Sequence, residues 1–377
     1  MKKSAAHLKS AGLPSCNWVM TLLFCIAAAP HTTDAVDDSW WLVSPELVEH
    51  GQLKMLWQTK LPIRDNEAVR ELHIIGDRLY VLSDHNYIFC LDRRKGAVVF
   101  GESVAPAGFA VLGLSAYGGE LVTVIGNSLV RIDMESGRQR EAVGLDFAVA
   151  CAPVRNRGYF YLSGVDRRLR VMRADDKVQV FQIAAENNSL ITSVVADEGV
   201  VIFGTAAGNV IAAAPDRPKK LWQFDAGGAV AGSVIKDGAS VFFAGADTNV
   251  YRLDIIDPVT VRLAWKCQVD GILDRSPAIT GAVVYQYAVG DGLTAIDRQS
   301  GKRLWSLPEG VHLLAEAGAK AYIATKNRTL AAIDNTTAKV QYHLNCAAVS
   351  KGATNTTDSR IYIADDRGRV ACLEPAR

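Results

Sequence analysis

The side chains able to do chemistry are few and scattered. Beyond residue 35 the histidines are His50, His73, His85, His312 and His343, and no two lie within four positions of each other. The cysteines there are Cys90, Cys151, Cys267, Cys346 and Cys372, none adjacent and none forming C-x-x-C. Such spacing offers neither a zinc-finger ligand set nor a redox couple. They read instead as small apolar core residues. Two aspartate pairs, Asp175-Asp176 and Asp365-Asp366, could offer oxygens to a cation. Calcium asks for roughly six to eight such ligands, and both pairs fall in turns, where solvated carboxylates are the ordinary occupants. The G-x-S-x-G elbow, the H-E-x-x-H helix, the P-loop and the C-x-x-C-H haem site are all missing. We therefore expect no catalytic, cofactor or metal residues. What remains is recognition by loops, the places where a stiff scaffold usually carries its binding residues. The candidates are Arg64 and Asp65, the basic hairpin Asp166-Arg167-Arg168, and the segment Ile272-Leu273-Asp274-Arg275. The last reads as two exposed aliphatics, with no strand to join, beside an ion-pairing couple, the blend found at an interface centre and rim. Glu186-Asn187-Asn188 is a further connecting loop of this kind.

Loops of that sort need a scaffold, and the sequence contains one as a repeat. The segment AVGDGLTAIDRQSGKRLW, residues 288–305, reads as strand, tight turn, strand ending at Asp297, second turn at Ser300-Gly301, and strand carrying Trp305. Positions equivalent to Asp297 recur at Asp92, Asp133, Arg173, Ala214, Asp254, Asp334 and Glu374, at intervals of 37 to 43 residues. Each is preceded by an apolar residue: Leu91, Ile132, Met172, Ala213, Leu253, Ile296, Ile333 or Leu373. Eight positions further on stand Phe100, Phe181, Trp222, Trp305 and Tyr342, with Glu141 as the exception. In the fifth repeat Trp265 comes at eleven, which implies three extra turn residues around Asp257-Pro258-Val259. Gly, Asn and Asp cluster before each mark, as hairpin turns with positive φ require.

A period near 40 with short strands is the signature of a β-propeller. The last repeat ends too soon to supply its own outer strand. Residues 53–61, LKMLWQTKL, have strand-like alternation and no repeat of their own. They are expected to complete the last sheet and close the ring, which protects edges that an open array would expose. The expected architecture is all-β: a single eight-bladed β-propeller of four-stranded blades over residues 53–377.

The first 35 residues have the layout of a secretory signal peptide: Lys2, Lys3 and Lys9, an apolar run over residues 18–29, and a short polar end at Ala35. Neither Cys16 nor Cys25 sits in a convincing lipobox. Residues 36–52 form a tail in which Ser44-Pro45-Glu46 reads as a helix start and Gly51 as its stop. The expectation is an exported protein, periplasmic or secreted, with no transmembrane segment in the mature chain. With 49% hydrophobic and 21% charged residues, disorder is excluded. With 41 Lys and Arg against 40 Asp and Glu, there is no basic excess for nucleic acid.

The string Gly290-Asp291-Gly292-Leu293, Ala295-Ile296-Asp297, Ser300-Gly301-Lys302-Arg303-Leu304-Trp305 closely resembles the repeat of the pyrroloquinoline-quinone-like propellers. The resemblance is specific for the fold and implies two branches of function. One holds quinone-dependent dehydrogenases, whose alcohol-oxidising members carry an adjacent cysteine pair that this chain lacks. The other holds non-enzymatic scaffolds, among them the periplasmic propeller subunit of the outer-membrane β-barrel assembly machinery. Length, signal peptide and terminal closure favour the second. The resemblance thus implies a monomeric scaffold for other envelope or secreted proteins, without a cofactor. The alternative it leaves is a quinone-binding oxidoreductase relative.

Overall fold

Two burial patterns along the strands reveal the architecture. The second strands of the repeats are buried at nearly every position, as in Arg78–Ser83 and Ser240–Gly245. The fourth strands alternate and are largely exposed, as in Gln179–Ala184. A strand with both faces covered lies inside a stack of sheets, and one with a wet face lies at its rim. The computed structural model describes residues 40–376 and arranges them as eight four-stranded antiparallel sheets. The signal peptide expected over residues 1–35 lies outside the described residues.

Blades 1 to 7 span residues 69–103, 115–144, 154–184, 191–225, 230–268, 278–307 and 310–345. Within each, the four strands pair in chain order. Blade 8 takes its inner three strands from residues 351–375 and its outer strand from the N-terminal side, Leu53–Lys60, as the sequence implied. The register runs from Leu53 opposite Pro375 to Lys60 opposite Arg369. The helix Pro45–His50 is capped by Ser44 and buries Val48. With Leu42 and Val43 it packs on Leu330, Leu344 and Leu373, across the seam between blades 7 and 8. Trp40 is exposed and Trp41 half-buried. Among the described residues no helix is long and apolar enough to cross a membrane.

The repeated residues have mechanical roles. The marker carboxylates cap the turn that follows. Asp92 accepts from the backbone N–H of Arg94 and Lys95, Asp133 from Glu135 and Ser136, and Asp334 from Thr336 and Thr337. Those bonds hold all three carboxyls below the usual range. In blades 1, 2 and 6 this turn docks onto the outer aromatic of the preceding blade. Gly96 packs on the Trp57 ring, Gly137 on Phe100 and Gly301 on Trp265, so closely that any Cβ would collide. The indole N–H crosses the same seam: Trp57 donates to Arg93 O at 3.0 Å, Trp265 to Arg298 O at 2.9 Å, and Trp305 to Asn335 Oδ1 at 2.8 Å.

A second aromatic column stands on the second strands, at Tyr80, Tyr161, Phe242, Tyr285, Tyr322 and Tyr362, all buried. Blade 2 has aliphatic Val122 there and Glu141 in place of the outer aromatic. The space between blades 2 and 3 is filled by charge instead. Glu120 is held by Arg131, Arg140 and Arg155, while Glu141 pairs with Arg131 and with Lys177 of blade 3.

Blade 5 departs from the expectation in one respect. The extra residues do not enlarge a turn; they prolong the strands into a ribbon, Asn249–Asp257 against Thr260–Gln268, with a bulge at Leu253. Ile255 and Val261 pair within the ribbon, and extending the ladder satisfies backbone groups that a longer loop would leave open.

Candidate functional site: the loop face

Chain order fixes which segments share a face. In every blade the chain enters the inner strand from one side, so the inter-blade connections and the second hairpins share that side. The first and third hairpins lie on the other. Backbone bonds tie the first set together: Val104 N–H to Asn86 O, Leu145 to Asn127, Ala226 to Gly208, Val269 to Thr248. In those blades the outgoing connection is thus fastened to the second hairpin of its own blade, while in blades 3 and 6 the second hairpin is tied to the preceding connection, Val165 N–H to Ala148 O and Val289 to Ile272. The result is a stiff rim of loops.

All the loop residues singled out from sequence lie on this loop face. Arg64 places its guanidinium over the Tyr87 ring and donates to Tyr87 Oη at 2.7 Å, while Asp65 occupies the exposed tip of the same turn. Asp166 is held by both nitrogens of Arg170, at 2.8 and 2.6 Å, and that pairing lowers its carboxyl pKa. The hairpin is therefore less basic at its surface than the sequence reads. Arg167 takes a positive φ at the turn, and Arg168 begins the next strand. Asn187 and Asn188, also at positive φ, form a short 3-10 turn. Arg275 places its guanidinium carbon over the Tyr287 ring, 4.0 Å from its centre, and pairs with Asp274 at 3.0 Å.

Two readings of the 271–275 segment need correction. Leu273 is not an exposed aliphatic; it is 3% exposed and packs in the core with Trp265, Val269 and Val284. Ile272 is 65% exposed, but it does have a strand partner, an antiparallel bridge to Val289. Gly271, at φ 122°, allows this by letting the backbone approach Val289 O. Leu273→Ala is therefore expected to cost about 2–5 kcal/mol, and Ile272→Ala to stay within about 0.5 kcal/mol. Urea unfolding of the two variants measures the contrast. A fall of 2 kcal/mol or more for Ile272→Ala would show that it is structural.

Sequence reading missed most of what is apolar on this face. Phe109, Val165, Leu190 and Val289 are exposed alongside Ile272, and all sit in inter-blade connections or second hairpins. The signal was an apolar side chain at a turn tip, but it shows only once the loops are assigned to one face. Elsewhere the chemistry is quiet. Among the described residues no three His, Cys, Asp or Glu gather as a metal set. The five cysteines among the described residues are free thiols, four of them buried, and burial pushes Cys90 and Cys346 up to about 11. His312 is pushed down to about 4, first by burial and then by the charge of Arg275. Asp365 pairs with Arg369, and Asp176 with Arg173.

Residues 206–325, from the second hairpin of blade 4 into blade 7, match a family model described as outer membrane protein assembly factor BamB. The ring is an eight-bladed propeller, and about a third of the chain is similar to that family. Among solved structures, BamB from Moraxella catarrhalis superposes with a TM-score of 0.64 at 14% identity, covering 85% of this chain and 97% of that one. The computationally designed Ika8 protein also superposes with a TM-score of 0.64, at 13% identity, covering 85% of this chain and 99% of that one. A designed ring fits this eight-bladed propeller as well as a natural assembly factor does, so the superpositions speak for the fold alone. No curated protein matches the sequence.

Proposed function

We propose that this PQQ-like propeller is an exported, non-catalytic scaffold that binds other envelope proteins through its loop face, in the assembly of outer-membrane proteins. The observation that carries the reading is the set Phe109, Val165, Leu190, Ile272 and Val289, exposed on one face of a rigid ring. Single exposed apolar residues are ordinary, and others lie on the outer strands and the blade 5 ribbon; the loop face is distinguished by carrying five of them in connections and second hairpins that also carry exposed charges. Arg64, Asp65, Arg167, Arg168, Asp274 and Arg275 supply those polar neighbours. The match to the BamB family model over residues 206–325 supports the assembly role. In this reading the protein is periplasmic, works as a single copy and carries no cofactor.

Affinity capture from envelope extract, read by mass spectrometry, tests the partner class. Barrel-assembly components are expected in the wild-type eluate. The double variant Val165→Asp, Ile272→Asp is expected to lose them at an unchanged melting temperature. Turnover of alcohols or aldoses with pyrroloquinoline quinone and calcium, in the usual enzyme range of ~1–10³ s⁻¹, would overturn the non-catalytic reading.

A further inference from the structure

Trp222 is the exception in the tryptophan column. It is 6% exposed, and its Nε1 is buried without a hydrogen-bond partner among the described residues. An indole N–H left in that state costs free energy comparable to a lost hydrogen bond, so native structures rarely keep one without a reason. The cause lies in blade 5. Where blades 1, 6 and 7 present a docking turn whose carbonyl or amide oxygen meets the indole, blade 5 has the prolonged ribbon. The position that would supply the carbonyl, Ile255, pairs with Val261 within that ribbon.

The absent turn leaves a cleft of about 430 Å³ between blades 4 and 5, on the side opposite the loop face. Leu221, Trp222, Ile255, Ile256 and Pro258 line it. Ile256 and the neighbouring Val259 are exposed. The Lys236 ammonium is tied to Asp197 at 2.8 Å, whereas Asp257 at the rim makes no ion pair among the described residues. Backbone hydrogen bonding holds the Asp257 carboxyl below its usual range, so it is an anion at neutral pH.

We infer that this cleft is a second binding site, for a peptide segment of a partner protein that has the chemistry of the missing docking turn. Such a segment presents a backbone carbonyl to Trp222 Nε1, a glycine to the indole face and a basic side chain to Asp257. The sister seams define this occupant. At Trp265 the turn Arg298-Gln299-Ser300-Gly301-Lys302 supplies the carbonyl, the glycine and two cations. The inference does not depend on the loop face, and its test uses the isolated protein.

The probe is a synthetic peptide with the sequence of residues 295–304, added to protein carrying ¹⁵N-labelled indoles. The Trp222 signal, assigned by its disappearance in Trp222→Phe, is expected to move downfield with peptide while the other indole signals stay. Trp222→Phe is expected to weaken peptide binding about tenfold. No movement of the Trp222 signal at ~1 mM peptide, or equal binding by Trp222→Phe, would overturn the proposal. A second measurement needs no ligand. Trp222→Phe removes an N–H that bonds to nothing, whereas Trp265→Phe breaks a bond to Arg298 O. The melting temperature should therefore fall less for Trp222→Phe than for Trp265→Phe. Equal falls would mean that the Trp222 donor is satisfied in the free protein, and the site would be withdrawn.

Discussion

Removing residues 40–60 is expected to abolish the cooperative thermal transition. Those residues supply the outer strand of blade 8, paired with the C-terminal strand from Leu53 opposite Pro375 to Lys60 opposite Arg369. They also carry Trp57, buried against Tyr362 and bonded to Arg93 O across the seam to blade 1. Truncating a buried tryptophan alone costs about 3–5 kcal/mol, a large part of the roughly 5–15 kcal/mol that separates a folded domain from its unfolded chain. The deletion adds a naked edge strand, a template for aggregation. Calorimetry on the deletion and on Trp57→Ala separates the two effects. The point variant should melt cooperatively at a lower temperature, and the deletion should not melt as a folded ring. A deletion that melts like the full protein would refute closure by the N-terminal strand.

Glu120→Gln should be the most damaging single change of charge. The carboxylate is buried and meets Arg131, Arg140 and Arg155, in the blade that lacks both aromatic columns. Removing it leaves Arg155 without a carboxylate partner among the described residues and weakens the hold on Arg131 and Arg140, which keep Glu141 and Asp133. Breaking a buried ionic cluster by removing one partner costs about 3–5 kcal/mol. The effect carries a pH signature. Burial by itself would raise the Glu120 pKa, but the hydrogen bonds from Arg131 and Arg140, with the charges of Arg131 and Arg155, outweigh it and set the folded value below 4.5. A lowered folded pKa contributes stability that is fully present above the unfolded value and lost as pH falls through the folded one. The wild type should therefore lose stability below about pH 4.5 more steeply than Glu120→Gln. Parallel curves for the two proteins would show that the arginines are balanced elsewhere.

The ring was legible because its repeat is written in backbone requirements. Asp297, Ser300 and Gly301 recur because a capped turn must fit under an aromatic ring, and that constraint survives in the spacing of the marks. What stayed hidden depends on the neighbouring blade. Leu273 sits beside Ile272 in sequence, yet one is core and the other surface, because Ile272 bridges to Val289 and turns its neighbour inward. The column of buried rings from Tyr80 to Tyr362 lies on strands buried at nearly every position, so no alternation marks it out. Glu141 looked like a break in a pattern; its meaning came from Glu120 and Arg131, brought beside it by pairing across the sheet. The unpaired N–H of Trp222 is invisible in sequence because its absent acceptor is a backbone carbonyl, which every residue carries.

The central claim is that partners dock on the loop face through its exposed apolar residues. Amide hydrogen exchange on the protein, free and bound to its captured envelope partner, tests this most directly. Slowed exchange is predicted in residues 104–114, 164–168, 185–190, 269–275 and 288–292, with the opposite hairpins at residues 76–77, 156–158 and 318–319 unchanged. Protection confined to those opposite hairpins, or spread evenly around the ring, would contradict the account.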